Sequence, residues 1–346
     1  MREKLPKTVK PPRLRSPFVY PGGKSSPAAC VWERFGNISV YVEPFFGTGA
    51  VLFGRDPVMG LEIVNDYNDM ICNFWRAIKF DPDAVAKYVD WPAIESDKHA
   101  RAYWLLEQSR KTSLRERLEG DIDYCDPKMA GYWVWVVSQY IGMTAYTSFG
   151  TGPWVVKKKD GDRCLVFKKR ANVGISRQLP LLRQRFLTKQ SNAAIHEWFN
   201  CLSDRLRNVV VGCGDWTRVC GGRDGNSLYS ITPERGSVCG IFLDPPYSAA
   251  ADYTPVYTDN DLKLANAVRN WAVAHGDDSR FRIALCGYED EYKMPASWDK
   301  YEWQAWGGWS NLANVETQAK KNRFRERIWF SPHCDDKCEW KYEPSK

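Results

Sequence analysis

Short apolar runs that end on acidic or polar residues punctuate this chain. Val40-Tyr41-Val42 runs into Glu43, Leu61 to Asn65 into Asp66, and Gly240-Ile241-Phe242-Leu243 into Asp244. Runs this short and this continuously apolar read as strands buried on both faces. Arg282 to Cys286 reads as a later strand. Helical stretches alternate with them: Tyr67 to Lys79, a helix opened by Asp81-Pro82 with cap and first-turn proline in place, His99 to Leu118, Met129 to Met143, Asn192 to Leu206 leading to Val209-Val210-Val211, and Asp259 to Ala274. The alternation predicts an α/β fold with a mostly parallel, doubly wound sheet. The faces of the helices at 99–118 and 129–143 are expected to bundle. Trp154 to Lys159 and Arg163 to Lys169, flanking Asp160-Gly161-Asp162, read as a hairpin around an Asp-Gly turn.

The strand ends carry the chemistry. In an open α/β sheet, ligands bind at the carboxyl edge of the strands. Asp244-Pro245-Pro246-Tyr247 is placed there, and the combination suits methyl transfer to an exocyclic amine. Such an amine is a poor nucleophile because its lone pair is delocalised into the ring, so its two protons need acceptors. The Asp244 carboxylate and the Pro245 carbonyl can serve, with the prolines fixing φ and Tyr247 offering a stacking face. The same four residues also make a good turn, and taken alone they do not decide between the two readings. Upstream, Gly47 and Gly49 follow the first strand at the spacing that lets backbone pass close to a ligand. A dinucleotide fingerprint would have a third glycine where Leu52 stands, and this departure favours a ligand without a pyrophosphate, such as S-adenosylmethionine. Asp66 follows at close to the spacing at which an acid meets ribose hydroxyls.

Charge changes the picture more than composition does. The chain of 346 residues has a net charge of +7. Thr144 to Gln190 alone holds eleven Lys and Arg against Asp160 and Asp162, and residues 1–24 hold seven against Glu3, so the remainder is acidic. Basicity confined to two segments is the footprint of phosphate contact. A basic ribbon can enter a major groove, although lysines on a hairpin also guard a solvated edge. The candidate DNA contacts are Lys157, Lys158, Lys159, Arg163, Lys168, Lys169 and Arg170, with a third basic stretch at Lys320, Lys321, Arg323, Arg325 and Arg327 whose plainer reading is a strand's solvent side. The 11 cysteines are scattered without a C-x-x-C pair and read as free thiols, and no half-site at metal spacing has a second half. With no apolar run long enough to span a bilayer and no apolar leader, the expected location is the cytoplasm. Most of the 16 tryptophans are expected in the core.

Tyr20-Pro21-Gly22-Gly23-Lys24, Val42 to Gly49, Asn65-Asp66 and Asp244-Pro245-Pro246-Tyr247 resemble, in this order, the motifs of the Dam-like (alpha-class) DNA adenine-N6 methyltransferases. Ala284-Leu285-Cys286-Gly287-Tyr288 and Glu326 to Phe330 resemble later strands of that family, so the likeness spans about 17–332. It implies a methyltransferase sheet formed by 16–90 and 209–335, a target-recognition domain inserted at 91–208, and a flexible basic tail at 1–15. It implies S-adenosylmethionine held by Tyr20, Lys24, Glu43, Pro44, Phe45, Gly47, Gly49, Asp66 and Asp244, with Asp215 either near the adenine or a helix cap. The implied catalytic residues are Asp244, Pro245, Pro246 and Tyr247, acting on an adenine flipped out of double-stranded DNA. The implied enzyme is a monomer or weak dimer, and a cognate restriction enzyme is possible but not required. Cytosine-N4 methylation, an RNA or protein-amide methyltransferase and an inactive nucleic-acid binder remain open as alternatives.

Overall fold

A computed structural model of the chain describes residues 14–18, 23–57, 60–91, 95–138, 154–159, 162–167, 191–221, 237–246, 259–289, 292–303 and 325–335. Seven strands form one sheet: β1 (Val40–Glu43), β2 (Leu61–Asp66), β5 (Val209–Cys213), β6 (Cys239–Leu243), β7 (Phe281–Tyr288), β8 (Asp299–Glu302) and β9 (Glu326–Phe330). The remaining pair, β3 (Trp154–Lys159) and β4 (Asp162–Phe167), makes the two-stranded antiparallel ribbon that the Asp-Gly signal predicts, with Trp154 opposite Phe167 and Lys159 opposite Asp162.

The large sheet runs in the order β5-β2-β1-β6-β7-β9-β8. Pairing is parallel from β5 through β7, and β9 enters antiparallel between β7 and β8. From β1 the chain steps outward to β2 and β5, then returns to β6 on the other side of β1. The strand order therefore reverses between β1 and β6, and the crevice at their carboxyl ends is where a doubly wound sheet receives its ligand. Glu43 ends β1, and Asp244 follows β6 directly.

Both faces of the sheet are covered, which is why its strands read as continuous apolar runs. Tyr41, Val64, Phe242, Ala284, Cys286, Ile328 and Phe330 belong to one core, and Val42, Ile63, Ile241, Leu243, Ile283, Leu285 and Trp329 to the other. Alternation along each strand deals its residues to the two faces. The first core takes in α2 (Asp69–Phe80), α3 (Pro82–Val89), α6 (Pro127–Val137) and α7 (Ser191–Leu206). Asn68 caps α2 by accepting from the Met70 and Ile71 amides, and Asp81 caps α3 ahead of Pro82. Phe18 packs edge-on against Phe74 and Trp133, while Trp198 donates to the Arg15 carbonyl.

A buried ion pair joins α7 to the sheet. Arg205 forks onto Glu62 of β2 at 2.6 and 2.8 Å, with both side chains nearly inaccessible. Planar, bidentate pairing of this kind gives both Glu62 oxygens a charged donor and fixes the helix in one register, with Arg205 Nε left without a hydrogen bond among the described residues.

The sequence predicts one helix over 99–118, but the structure divides it into α4 (Glu95–Lys111) and α5 (Leu114–Gly120). Ser113 between them adopts a left-handed backbone with φ 47° and ψ 52°, and the Thr112 hydroxyl donates to the Gln108 carbonyl. The Thr112 hydroxyl takes a backbone partner of its own, and the left-handed turn at Ser113, whose side chain makes no capping bond, ends α4. Of the expected helix at 129–143, residues up to Val137 are helical, and residues beyond 138 lie outside the described part. No helix among the described residues is long and apolar enough to cross a membrane.

Candidate active site

The loop after β1 turns back on itself through two left-handed glycines, Gly47 at φ 47° and Gly49 at φ 65°. At Gly49 a side chain would be strained by the backbone and would also strike the rings of Phe46 and Phe53, since its Cβ would lie 2.6 and 2.7 Å from them. Hydrogen bonds then knit this loop to the ends of β2 and β5. Asn65 donates its amide to the carbonyls of Pro44 at 3.2 Å and Gly214 at 3.0 Å, and the Gly214 amide donates to the Asp66 carbonyl at 2.9 Å. Trp75 of α2 donates to the Gly47 carbonyl at 2.9 Å.

Asp66 completes the knot. Its two oxygens accept from the amides of Gly47 and Asn68, each at 2.8 Å. Burial raises its acid group to about 6, against the opposing pull of the Asn68, Gly47 and Tyr67 amides and of Arg115. Glu43 is deeper still, and its Oε2 accepts from the Tyr41 hydroxyl at 2.8 Å. Burial pushes Glu43 well above the usual carboxylate range, and the charges of Asp244 and Asp66 push the same way. Three carboxyl groups thus converge at the ends of β1, β2 and β6.

Lys24 reaches this cluster from before the first helix, α1 (Ala28–Phe35). Only 3% of it is exposed, and its Nζ lies 2.9 Å from Asp244 Oδ2 and 3.7 Å from Glu326 Oε2. The Trp303 ring lies over the same ammonium, 5.7 Å from centroid to Nζ. Burial alone would lower the lysine pKa, but the carboxylates of Asp244 and Glu326 outweigh it and hold the ammonium above its ordinary range. Pro245 is buried and Pro246 half-buried, so the segment leaving Asp244 is fixed by packing as well as by proline geometry.

Sequence reasoning brings together Lys24, Glu43, Pro44, Phe45, Gly47, Gly49, Asp66, Asp244, Pro245 and Pro246 at this edge. Asp215 is the helix-capping alternative in its local contacts: it is exposed, and its Oδ1 accepts from the Thr217 amide at 2.9 Å and the Thr217 hydroxyl at 2.5 Å, opening α8 (Thr217–Cys220). Tyr20, Tyr247, Lys168, Lys169 and Arg170 lie outside the described residues, as do Lys320, Lys321 and Arg323. Lys157, Lys158, Lys159 and Arg163 fall on the ribbon. Arg327 departs from the expectation of a basic surface: it is 8% exposed and pairs with Glu289 at 2.6 Å, so the sheet absorbs its charge. Glu326, Asn65 and Tyr41 are the participants that sequence reasoning did not assign. A signal existed for Tyr41 and Glu43, which sit two apart on a strand and so share a face.

The raised acid group of Asp66 has a thermodynamic consequence. Between the ordinary aspartate value and about 6, the folded chain holds a proton there that the unfolded chain has released. Stability must therefore fall as pH rises through that window. Urea titrations of the wild type and Asp66→Asn are expected to show the wild type losing stability relative to the variant from about pH 4 to about pH 6; a pH-independent difference would contradict the raised value.

The geometry sets a lysine-held carboxylate beside a glycine turn at the reversal of a seven-stranded sheet. Comparison with known families agrees with what this arrangement suggests: residues 20–160 match the model of the D12 class N6 adenine-specific DNA methyltransferases. No curated protein matches the chain. The matched segment begins just before Lys24 and runs through β1, β2 and the helices into the ribbon, and over that segment the chain is similar to the D12 class adenine-specific DNA methyltransferases.

Proposed function

We propose that this methyltransferase uses S-adenosylmethionine to methylate the N6 amine of an adenine flipped out of double-stranded DNA, with Asp244 as the hydrogen-bond acceptor for that amine. The observation that carries the reading is the Lys24–Asp244 pair, because it gives a partly exposed carboxylate one orientation at the sheet's switch edge. When bound, the cofactor supplies a methyl group on a sulfonium, an electrophile with a positive charge.

The residues present fit such a ligand. Glu43, Asp66 and Asp244 crowd acid groups whose mutual repulsion a cation relieves. Asp66, already accepting two amides, has lone pairs left for ribose hydroxyls. Pro44, Phe45, Gly47 and Gly49 form the wall of the turn, and Lys24, engaged by Asp244 and Glu326, closes the far end. Tyr20 and Asp215 are assigned to the cofactor by resemblance alone.

For the amine, one N–H donates to Asp244 and the other to the Pro245 carbonyl. With both protons accepted, the nitrogen would pyramidalise and present its lone pair to the methyl group that bound S-adenosylmethionine would supply, the sulfur keeping the bonding electrons. The surplus proton on nitrogen leaves toward Asp244. Pro246 and Tyr247 wall the base, and opening the duplex costs a few kcal/mol. Positioning supplies most of the acceleration. Residues 91–208 would form the recognition insert and 1–15 a basic tail, in a cytoplasmic enzyme that works as a monomer or weak dimer and does not require a cognate restriction enzyme for activity.

Two measurements test this reading. Asp244→Asn is expected to lower incorporation of labelled methyl into DNA by at least about 100-fold in a folded protein whose melting temperature falls, because the buried Lys24 loses its closer anionic partner. Wild-type turnover in a folded variant would remove the catalytic assignment. Alanine at Lys157, Lys158 and Lys159 together is expected to flatten the slope of log DNA affinity against log salt by up to about 3, near 0.9 for each phosphate that a lysine no longer neutralises. An unaltered slope would move the DNA away from the ribbon.

A further inference from the structure

Glu326 is the first residue of β9, and β9 runs against its neighbours. That reversal brings the start of β9 to the edge where the parallel strands end: Glu326 pairs with Tyr288, the last residue of β7. A carboxylate thereby arrives beside Asp244 from the other direction. Glu326 is 8% exposed, and its Oε2 is buried, makes no hydrogen bond among the described residues and lies 3.7 Å from Lys24 Nζ. Among the described residues beside Glu326, Arg327 pairs with Glu289 and Glu302, and Arg325 stacks over the Tyr288 ring. One ammonium therefore serves two carboxylates, Asp244 closely and Glu326 at longer range.

This arrangement is a poor stabilising device. A buried carboxylate oxygen without a hydrogen bond costs free energy, and a buried ion pair rarely repays its desolvation. Burial, with the nearby charge of Asp244, raises the Glu326 acid group, while Lys24 opposes that rise. For methyl transfer the same arrangement is useful. An ammonium 2.9 Å from Asp244 and given to it alone would draw charge from the carboxylate and weaken it as an acceptor for the amine. A second carboxylate offsets that pull.

We propose that Glu326 is a positioning residue for methyl transfer: it divides the charge of Lys24, so that Asp244 stays anchored and still accepts strongly from the substrate amine. The inference rests on the reading of Asp244 as that acceptor. It separates Glu326 from residues that touch the cofactor or the base, because its influence passes through Lys24.

The test compares the full-length wild type, Glu326→Gln and Asp244→Asn in single-turnover methylation of duplex DNA, alongside steady-state constants and thermal melting. Glu326→Gln is expected to melt at or above the wild-type temperature, to keep the KM for DNA and for S-adenosylmethionine within about twofold, and to lose about tenfold in the methyl-transfer rate. A wild-type rate, or a loss confined to KM, overturns the inference. Activity surviving in Asp244→Asn would instead overturn the reading beneath it, so the two failures are distinguishable. Should glutamine prevent folding, Glu326→Met fills the site without polar atoms and faces the same outcomes; loss of folding in both variants would assign the residue to stability and overturn the inference.

Discussion

The buried ammonium of Lys24 is the constraint on which the active edge depends. A lysine this inaccessible cannot remain charged without anionic partners, because its desolvation is uncompensated otherwise. Its partners come from two strands that are remote from it in sequence, Asp244 after β6 and Glu326 at the start of β9. The segment before α1, the parallel half of the sheet and the antiparallel strand must therefore all be assembled before the pair exists. Folding and construction of the site are in this sense one event.

Around that pair, the sheet supplies direction and the loops supply proximity. The reversal of strand order between β1 and β6 opens a crevice, and the residues that end the strands line it. Asn65 and Asp66 then hold the crevice to one shape. Their side chains bond to backbone from the β1 loop, the β5 loop and the start of α2, which ties these three segments to one another. Such preorganisation suits a reaction in which placing the amine against the methyl donor is the main task. The carboxyl groups gathered at this edge suit a cationic donor, and burial raises the acid groups of Glu43 and Asp66, with the charges of Asp244 and Asp66 adding to the rise at Glu43.

Much of this was legible in the residues. Apolar runs located β1, β2, β5, β6 and β7, because strands covered on both faces have no polar side to disguise them, while the resemblance located β9. Asp81-Pro82 marked the start of α3, and the glycines with Asp66 marked the turn, since each depends on local backbone chemistry. What was illegible depends on distant partners or on competing local bonds. The break at Ser113 follows from the Thr112 hydroxyl bond and a left-handed turn that a pattern of apolar spacing does not weigh. Arg327 read as surface charge because Glu289 and Glu302 meet it only through the pairing of β7, β8 and β9. Glu326 read as an ordinary strand residue for the same reason: only the antiparallel entry of β9 brings it to Lys24.

The central claim is that Lys24 acts by anchoring Asp244, and replacing the lysine by methionine tests it most directly, since methionine keeps an unbranched apolar stem and removes the charge. A single-turnover assay on duplex DNA, with saturating S-adenosylmethionine, reads the step itself. The account requires the rate of Lys24→Met to fall by at least about 100-fold in a folded protein. A rate within about threefold of wild type would show that Asp244 needs no such anchor, and would contradict the account.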